Sequence, residues 1–69
     1  MKIQGTVKRI LAVKGYAFVE GDDGREYFFH VGSLLDEADW ARVRRGIRIS
    51  FVSVDVLPGR WRTSEVTVL

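Results

Sequence analysis

Tyr16-Ala17-Phe18-Val19 and, after a short polar break, Tyr27-Phe28-Phe29-His30 are two runs that read as β-strands with different residues on their two faces. Successive side chains of a strand point to opposite sides, so Tyr16 and Phe18 share one face and Phe28 and His30 share one face of the next strand. If Ala17, Val19, Tyr27 and Phe29 supply a core, the set Tyr16, Phe18, Phe28 and His30 is left toward solvent. The break is Gly21-Asp22-Asp23-Gly24, and Asp23-Gly24 is a favoured hairpin dipeptide, which predicts that the two strands are antiparallel neighbours sharing one outer surface.

The remaining chain reads as three further strands and one irregular connection. Residues Lys2 to Val13 predict a long first strand, bent at or near Gly5, with Val7 inward and Lys14-Gly15 as a tight link into the second strand. Ser33-Leu34-Leu35-Asp36 carries the mark of a helix start, Ser33 as N-cap with a carboxylate three residues on. Leu34, Ala38 and Ala41 then fall on one helical face, Arg42, Arg44 and Arg45 suit the end of the macrodipole, and Gly46 stops it. Ile47, Ile49 and Phe51 alternate with Arg48, Ser50 and Val52 in a half-buried strand. Leu57-Pro58-Gly59 interrupts the chain, and Thr63 to Leu69 supplies a last strand with Val66 and Val68 inward. The expectation is a small all-β, five-stranded, OB-type antiparallel barrel with a short helix or helical turn between strands 3 and 4. Residues 1–69 make one domain, near the lower size limit for a fold without a covalent or metal staple.

Lys14-Gly15-Tyr16-Ala17-Phe18-Val19 also follows the ribonucleoprotein pattern K/R-G-F/Y-G/A-F-V-x-F/Y up to Val19, with Gly21 where the final aromatic belongs. An RNA-recognition motif needs its other aromatic strand well before this segment, whereas here it follows. In that order the chain resembles a cold-shock domain, whose Gly-rich aromatic strand, short turn and aromatic-His strand form the nucleic-acid platform of an OB-type barrel. The resemblance takes in Gly5-Thr6-Val7-Lys8, Gly46-Ile47-Arg48-Ile49-Ser50-Phe51 and the closing Glu65-Val66-Thr67-Val68, and thins between Leu35 and Arg45. It implies that Tyr16, Phe18, Phe28 and His30 are binding positions. There are departures. Arg9-Ile10-Leu11 stands where the family has Trp-Phe-Asn, Ala17 replaces a Gly, and Val31 replaces a Phe after the His. A principal stacking Trp is thereby missing, and Arg9 is its candidate substitute, since a guanidinium stacks on a base and pairs with phosphate.

Charge sharpens this picture only through its distribution. Eleven Lys plus Arg against nine Asp plus Glu leave a formal charge of +2, too little to imply a polyanion partner. Lys8, Arg9 and Lys14, however, flank the aromatic strand, and Arg60-Trp61-Arg62 lies just past Pro58-Gly59, where a basic-aromatic-basic loop grips phosphate and base together. Trp61 has a competing structural role as a lid on the barrel mouth, and Trp40 is either a barrel cap or a counterpart of a loop Phe that contacts nucleic acid in the family.

Several classes find no support. Cysteine is absent and the lone His30 has no partner at metal-ligand spacing, so no metal and no cofactor are expected. No acid is placed to orient His30 toward Ser33, and there is no phosphate-cradling Gly loop, so an enzyme is not expected. No apolar run approaches the roughly 20 residues that span a bilayer, so no membrane association and a cytoplasmic location are expected. The expectation is binding of single-stranded RNA or DNA with weak sequence preference, by stacking on Tyr16, Phe18, Phe28 and His30 with Lys8, Arg9, Lys14, Arg60, Trp61 and Arg62 at the edges. By the resemblance this serves as an RNA chaperone or an accessory to transcription or translation. The rival is a degenerate cold-shock-like barrel that docks a protein partner or a second copy of itself through the same face, favoured by the lost Trp and by Ile10, Leu11 and Val31.

Overall fold

The computed structural model describes residues 2–69. Strands β1 (Lys2–Leu11), β2 (Tyr16–Gly21), β3 (Glu26–His30), β4 (Arg48–Leu57) and β5 (Arg60–Val68) close into a barrel in the order β1-β2-β3-β5-β4. The expected all-β, five-stranded barrel of OB type is therefore what forms. Four seams are antiparallel. The fifth is parallel, β3 against β5 through Tyr27 opposite Trp61 and Phe28 opposite Arg62.

Alternation sorts the side chains. Val7, Ala17, Val19, Tyr27, Phe29, Ile49 and Phe51 are fully buried, and Val66 and Val68 nearly so, forming one core with Leu34 and Val43 at its end. The β2–β3 hairpin turns where Asp23-Gly24 predicts it. Asp23 accepts the Arg25 backbone N–H at 3.1 Å and the Tyr27 hydroxyl at 2.5 Å, so the one polar atom of a buried ring is satisfied. Arg48 of β4 clamps this turn from outside. Its guanidinium donates to both Asp22 carboxylate oxygens at 2.8 and 2.6 Å, and also to Thr6 and Gln4.

The first strand differs from expectation in two ways. It ends at Leu11, where Ala12–Lys14 form a 3-10 turn closed by Gly15 at φ 78°, a left-handed geometry that glycine adopts without strain. Its irregularity is a bulge at Lys8, between the pairs Val7–Val19 and Arg9–Phe18. Gly5 serves close approach instead, since a Cβ there would lie 2.8 Å from the Glu20 carbonyl oxygen.

The connection between β3 and β4 holds two 3-10 segments, Val31–Ser33 and Glu37–Arg42. Ser33 is not the cap of a helix. Its hydroxyl donates to the His30 carbonyl at 2.7 Å and lies 3.1 Å from the Thr63 hydroxyl, while Asp36 caps the second segment by accepting from Ala38 N–H. Ala38 and Ala41 are exposed. Leu34 is extended and bridges in parallel with Val66, so it is taken out of the helical face and too few residues remain to repay a costly helix nucleus. Gly46, at φ 91°, turns the chain into β4 and donates to the Val7 carbonyl at 2.7 Å.

Candidate nucleic-acid interface

The β2–β3 register places Tyr16 opposite His30, Phe18 opposite Phe28 and Glu20 opposite Glu26 on the outside, with Ala17–Phe29 and Val19–Tyr27 inside. The outer rings touch one another. Tyr16 lies 5.9 Å from Phe18 and 5.3 Å from Phe28, and Phe18 lies 6.0 Å from Phe28. Phe28 and His30 are exposed, Tyr16 and Phe18 half-buried. His30 is oriented by its own backbone, since Nδ1 accepts the Gly32 N–H at 3.0 Å, which leaves the proton of a neutral ring on Nε2.

The bulge at Lys8 extends this surface onto β1. An unbroken register from Val7–Val19 would set Lys8 against Phe18, whereas the extra residue brings Arg9 there and Leu11 against Tyr16. On the other side Phe28 pairs with Arg62 of β5. One cross-strand row thus reads Arg9, Phe18, Phe28, Arg62 over four strands, about 14 Å at the usual inter-strand spacing. The next reads Leu11, Tyr16, His30. The sequence offers Leu11 only as apolar support for a docking face; its place opposite Tyr16, and the entry of a fourth strand into the row, follow from the bulge and the parallel seam.

No protein-family model matches the chain, and no curated protein does.

The other expected edge residues divide. Lys8 pairs with Glu20 at 3.1 Å, both half-exposed, and Lys14 is exposed at the end of the 3-10 turn. Arg60, Trp61 and Arg62 belong to β5, not to a loop, and this corrects the basic-aromatic-basic reading. Strand alternation leaves both arginines exposed and turns Trp61 the other way, half-buried beside Tyr27 at 6.5 Å with the Arg25 guanidinium 4.7 Å above it. Trp61 therefore turns toward the barrel mouth and stands outside the arginines' row, although all three residues border one cleft at the end of the β3–β5 seam. Trp40 packs edge-on against Phe29 at 5.6 Å as a barrel cap. Ile10 and Val31 pack on the core.

The surface is electrostatically lopsided. Glu20 and Glu26 face each other beside the aromatic rows, and Asp22 and Asp23 lie in the turn beyond. The hydrogen bonds from Arg48 hold the Asp22 carboxyl below its ordinary range despite some desolvation. Desolvation pushes Asp23 up, but the bonds from Tyr27 and the Arg25 backbone outweigh it and the net shift is down. Burial, reinforced by Asp23, raises Tyr27, so its hydroxyl stays a donor at neutral pH. Among the described residues no cluster of three His, Asp or Glu side chains could hold a metal ion, and no helix is long and apolar enough to cross a membrane.

Proposed function

We propose that this barrel binds single-stranded RNA or DNA by stacking splayed bases on Tyr16, Phe18, Phe28 and His30, with Arg9 and Arg62 meeting phosphates at the two ends of the row. The observation that carries the reading is the row itself: contiguous rings outside a core that is already complete, ended on both sides by a guanidinium. Each stacked base contributes about 1–3 kcal/mol and requires only a π-face, which explains a tolerance for sequence. A duplex hides those faces. In the cell the activity is that of a cold-shock-like RNA chaperone, or an accessory to transcription or translation, in the cytoplasm.

The test is titration of a labelled oligothymidylate and oligouridylate at low salt, beside a duplex of equal length. Single strands bind with a log–log salt slope of about −0.7 for each phosphate neutralised, roughly −2 to −3 in all, and the duplex binds much more weakly. Equal affinity for duplex and single strand argues for a plain electrostatic surface, and no binding at low salt sinks the reading. A protein-docking face has one observation in its favour, Leu11 lying beside Tyr16 on the outer surface next to the fully exposed Val13. Its other supports, Ile10 and Val31, are turned to the core. Self-association at the concentrations of the titration, seen by light scattering, would favour it.

A further inference from the structure

A cleft of about 490 Å³ opens beside Phe28, where the parallel β3–β5 seam meets the β4–β5 hairpin. That volume lies in the range of small-molecule sites and exceeds what one base needs. Its walls are chemically distinct. Phe28, Leu57 and Trp61 line it with apolar surface, Arg60 and Arg62 bring guanidinium donors, and Glu26 brings a carboxylate. Alternation along β3 and β5 places Glu26 on the side of Phe28, and Arg60 on the side of Arg62. Among the described residues no ion pair within 4.0 Å joins Glu26 to either arginine, so acceptor and donors stand apart on the cleft wall, uncommitted to one another.

We propose that this cleft is a guanine-selective subsite at one end of the stacking surface. The inference rests on the single-strand reading above. Guanine alone among the common bases presents two acceptors together, O6 and N7, on one edge and two N–H donors, N1 and N2, on the next. An arginine fork matches the first edge and a carboxylate matches the second. Adenine offers the carboxylate one amino donor and sets a donor beside N7, where the fork needs an acceptor. Uracil and thymine have no amino group for Glu26, and cytosine has no N7. The aromatic row supplies sequence-tolerant affinity, and the cleft adds a preference at a single position.

The experiment measures dissociation constants by anisotropy for heptathymidylate and for the same oligomer carrying one guanine at each interior position in turn. At least one placement binds about 5- to 10-fold tighter, the lower part of the discrimination a bidentate base contact gives. At that placement inosine, which lacks the N2 amino group, and 7-deazaguanine, which lacks N7, each lose most of the gain. Glu26→Ala abolishes the preference for guanine over thymine. The variant folds, because Glu26 is exposed and directly faces Glu20, so its removal relieves a like-charge pair. Heptathymidylate that binds with no gain from guanine at any position, or a gain that survives both inosine and Glu26→Ala, overturns the subsite and leaves the stacking surface standing. Absence of binding by every oligomer overturns both.

Discussion

Phe28→Ala removes a ring that is 38% exposed and whose aromatic neighbours are Tyr16 at 5.3 Å and Phe18 at 6.0 Å. The ring lies outside the barrel wall, so its loss opens no core cavity. The fold gives up two ring contacts of about 0.5–1.5 kcal/mol each, roughly 1–3 kcal/mol together at most. A base stacked on it loses about 1–3 kcal/mol, or roughly 5- to 150-fold in Kd. The adjacent residue supplies the contrast. Phe29 is fully buried and meets Trp40 edge-on at 5.6 Å, so Phe29→Ala costs about 3–5 kcal/mol of stability. A chain of this size has only about 3–10 kcal/mol in all, so that variant is largely unfolded near the lower bound. Urea unfolding followed by Trp40 and Trp61 fluorescence, together with oligothymidylate titration of each folded variant, separates the two. Phe28→Ala that unfolds as readily as Phe29→Ala, or that binds like the parent, refutes the division of β3 into a core face and a binding face.

Three further outcomes follow from particular contacts. Arg9→Trp sets a ring opposite Phe18, so single-strand binding tightens by about 1–3 kcal/mol while the salt slope becomes shallower by about 0.7; unchanged affinity and slope in titrations at several salt concentrations would remove Arg9 from the binding row. Asp22→Asn breaks the bidentate clamp with Arg48: the depressed folded pKa means that the carboxylate contributes stability above its unfolded value near about 4 and loses it as pH falls through the folded one. The variant is therefore less stable than the parent in urea at pH 7, and the gap closes toward pH 2; a gap that is constant with pH would show that the charge is irrelevant. Glu65→Gly relieves a non-glycine residue at φ 50° within the β5 bulge, and a gain of about 1 kcal/mol is expected in the same urea assay, with a loss indicating that Glu65 holds the bulge by other means.

What could be read from residues alone is what depends on a period of two and on turn chemistry. Ala17, Val19, Tyr27, Phe29, Ile49, Phe51, Val66 and Val68 are all buried as their alternation demands, and Asp23-Gly24 makes the turn. The bulge at Lys8 leaves no such mark, because a bulged residue has ordinary composition and its placement is settled by how β1 packs against β2 and β4 together. For the same reason Arg9 reaches Phe18 only in three dimensions. Polarity alone starts the last strand at Thr63, because Arg60-Trp61-Arg62 has the composition of a loop; pairing with β4 across Pro58-Gly59 and with Tyr27 and Phe28 across the seam makes those three residues strand. Between Ser33 and Arg45 the capping signal was local and genuine in kind, but Leu34 found Val66, 32 positions away by number, and tertiary pairing displaced the helix.

The distribution of charge over this surface argues for one direction of travel. The end of the outer face at the β2–β3 turn is acidic, with Glu20 against Glu26 and Asp22 and Asp23 beyond. Two of the nearby cations are already engaged by those acids, Lys8 with Glu20 at 3.1 Å and Arg48 with Asp22 at 2.6 Å. Arg9 and Arg62 make no such pair among the described residues, and they end the row that crosses the strands. A phosphate chain laid along β2 and β3 would run into the carboxylates, where like charge is repulsive over about a Debye length of 8 Å at physiological salt. The same chain laid across the strands meets a guanidinium on entry, rings in the middle and a guanidinium on exit. On the proposed reading Glu26 and Asp23, the two acids of this end that make no ion pair among the described residues, disfavour one path while the arginines favour the other, in a molecule whose formal charge of +2 carries no hint of either.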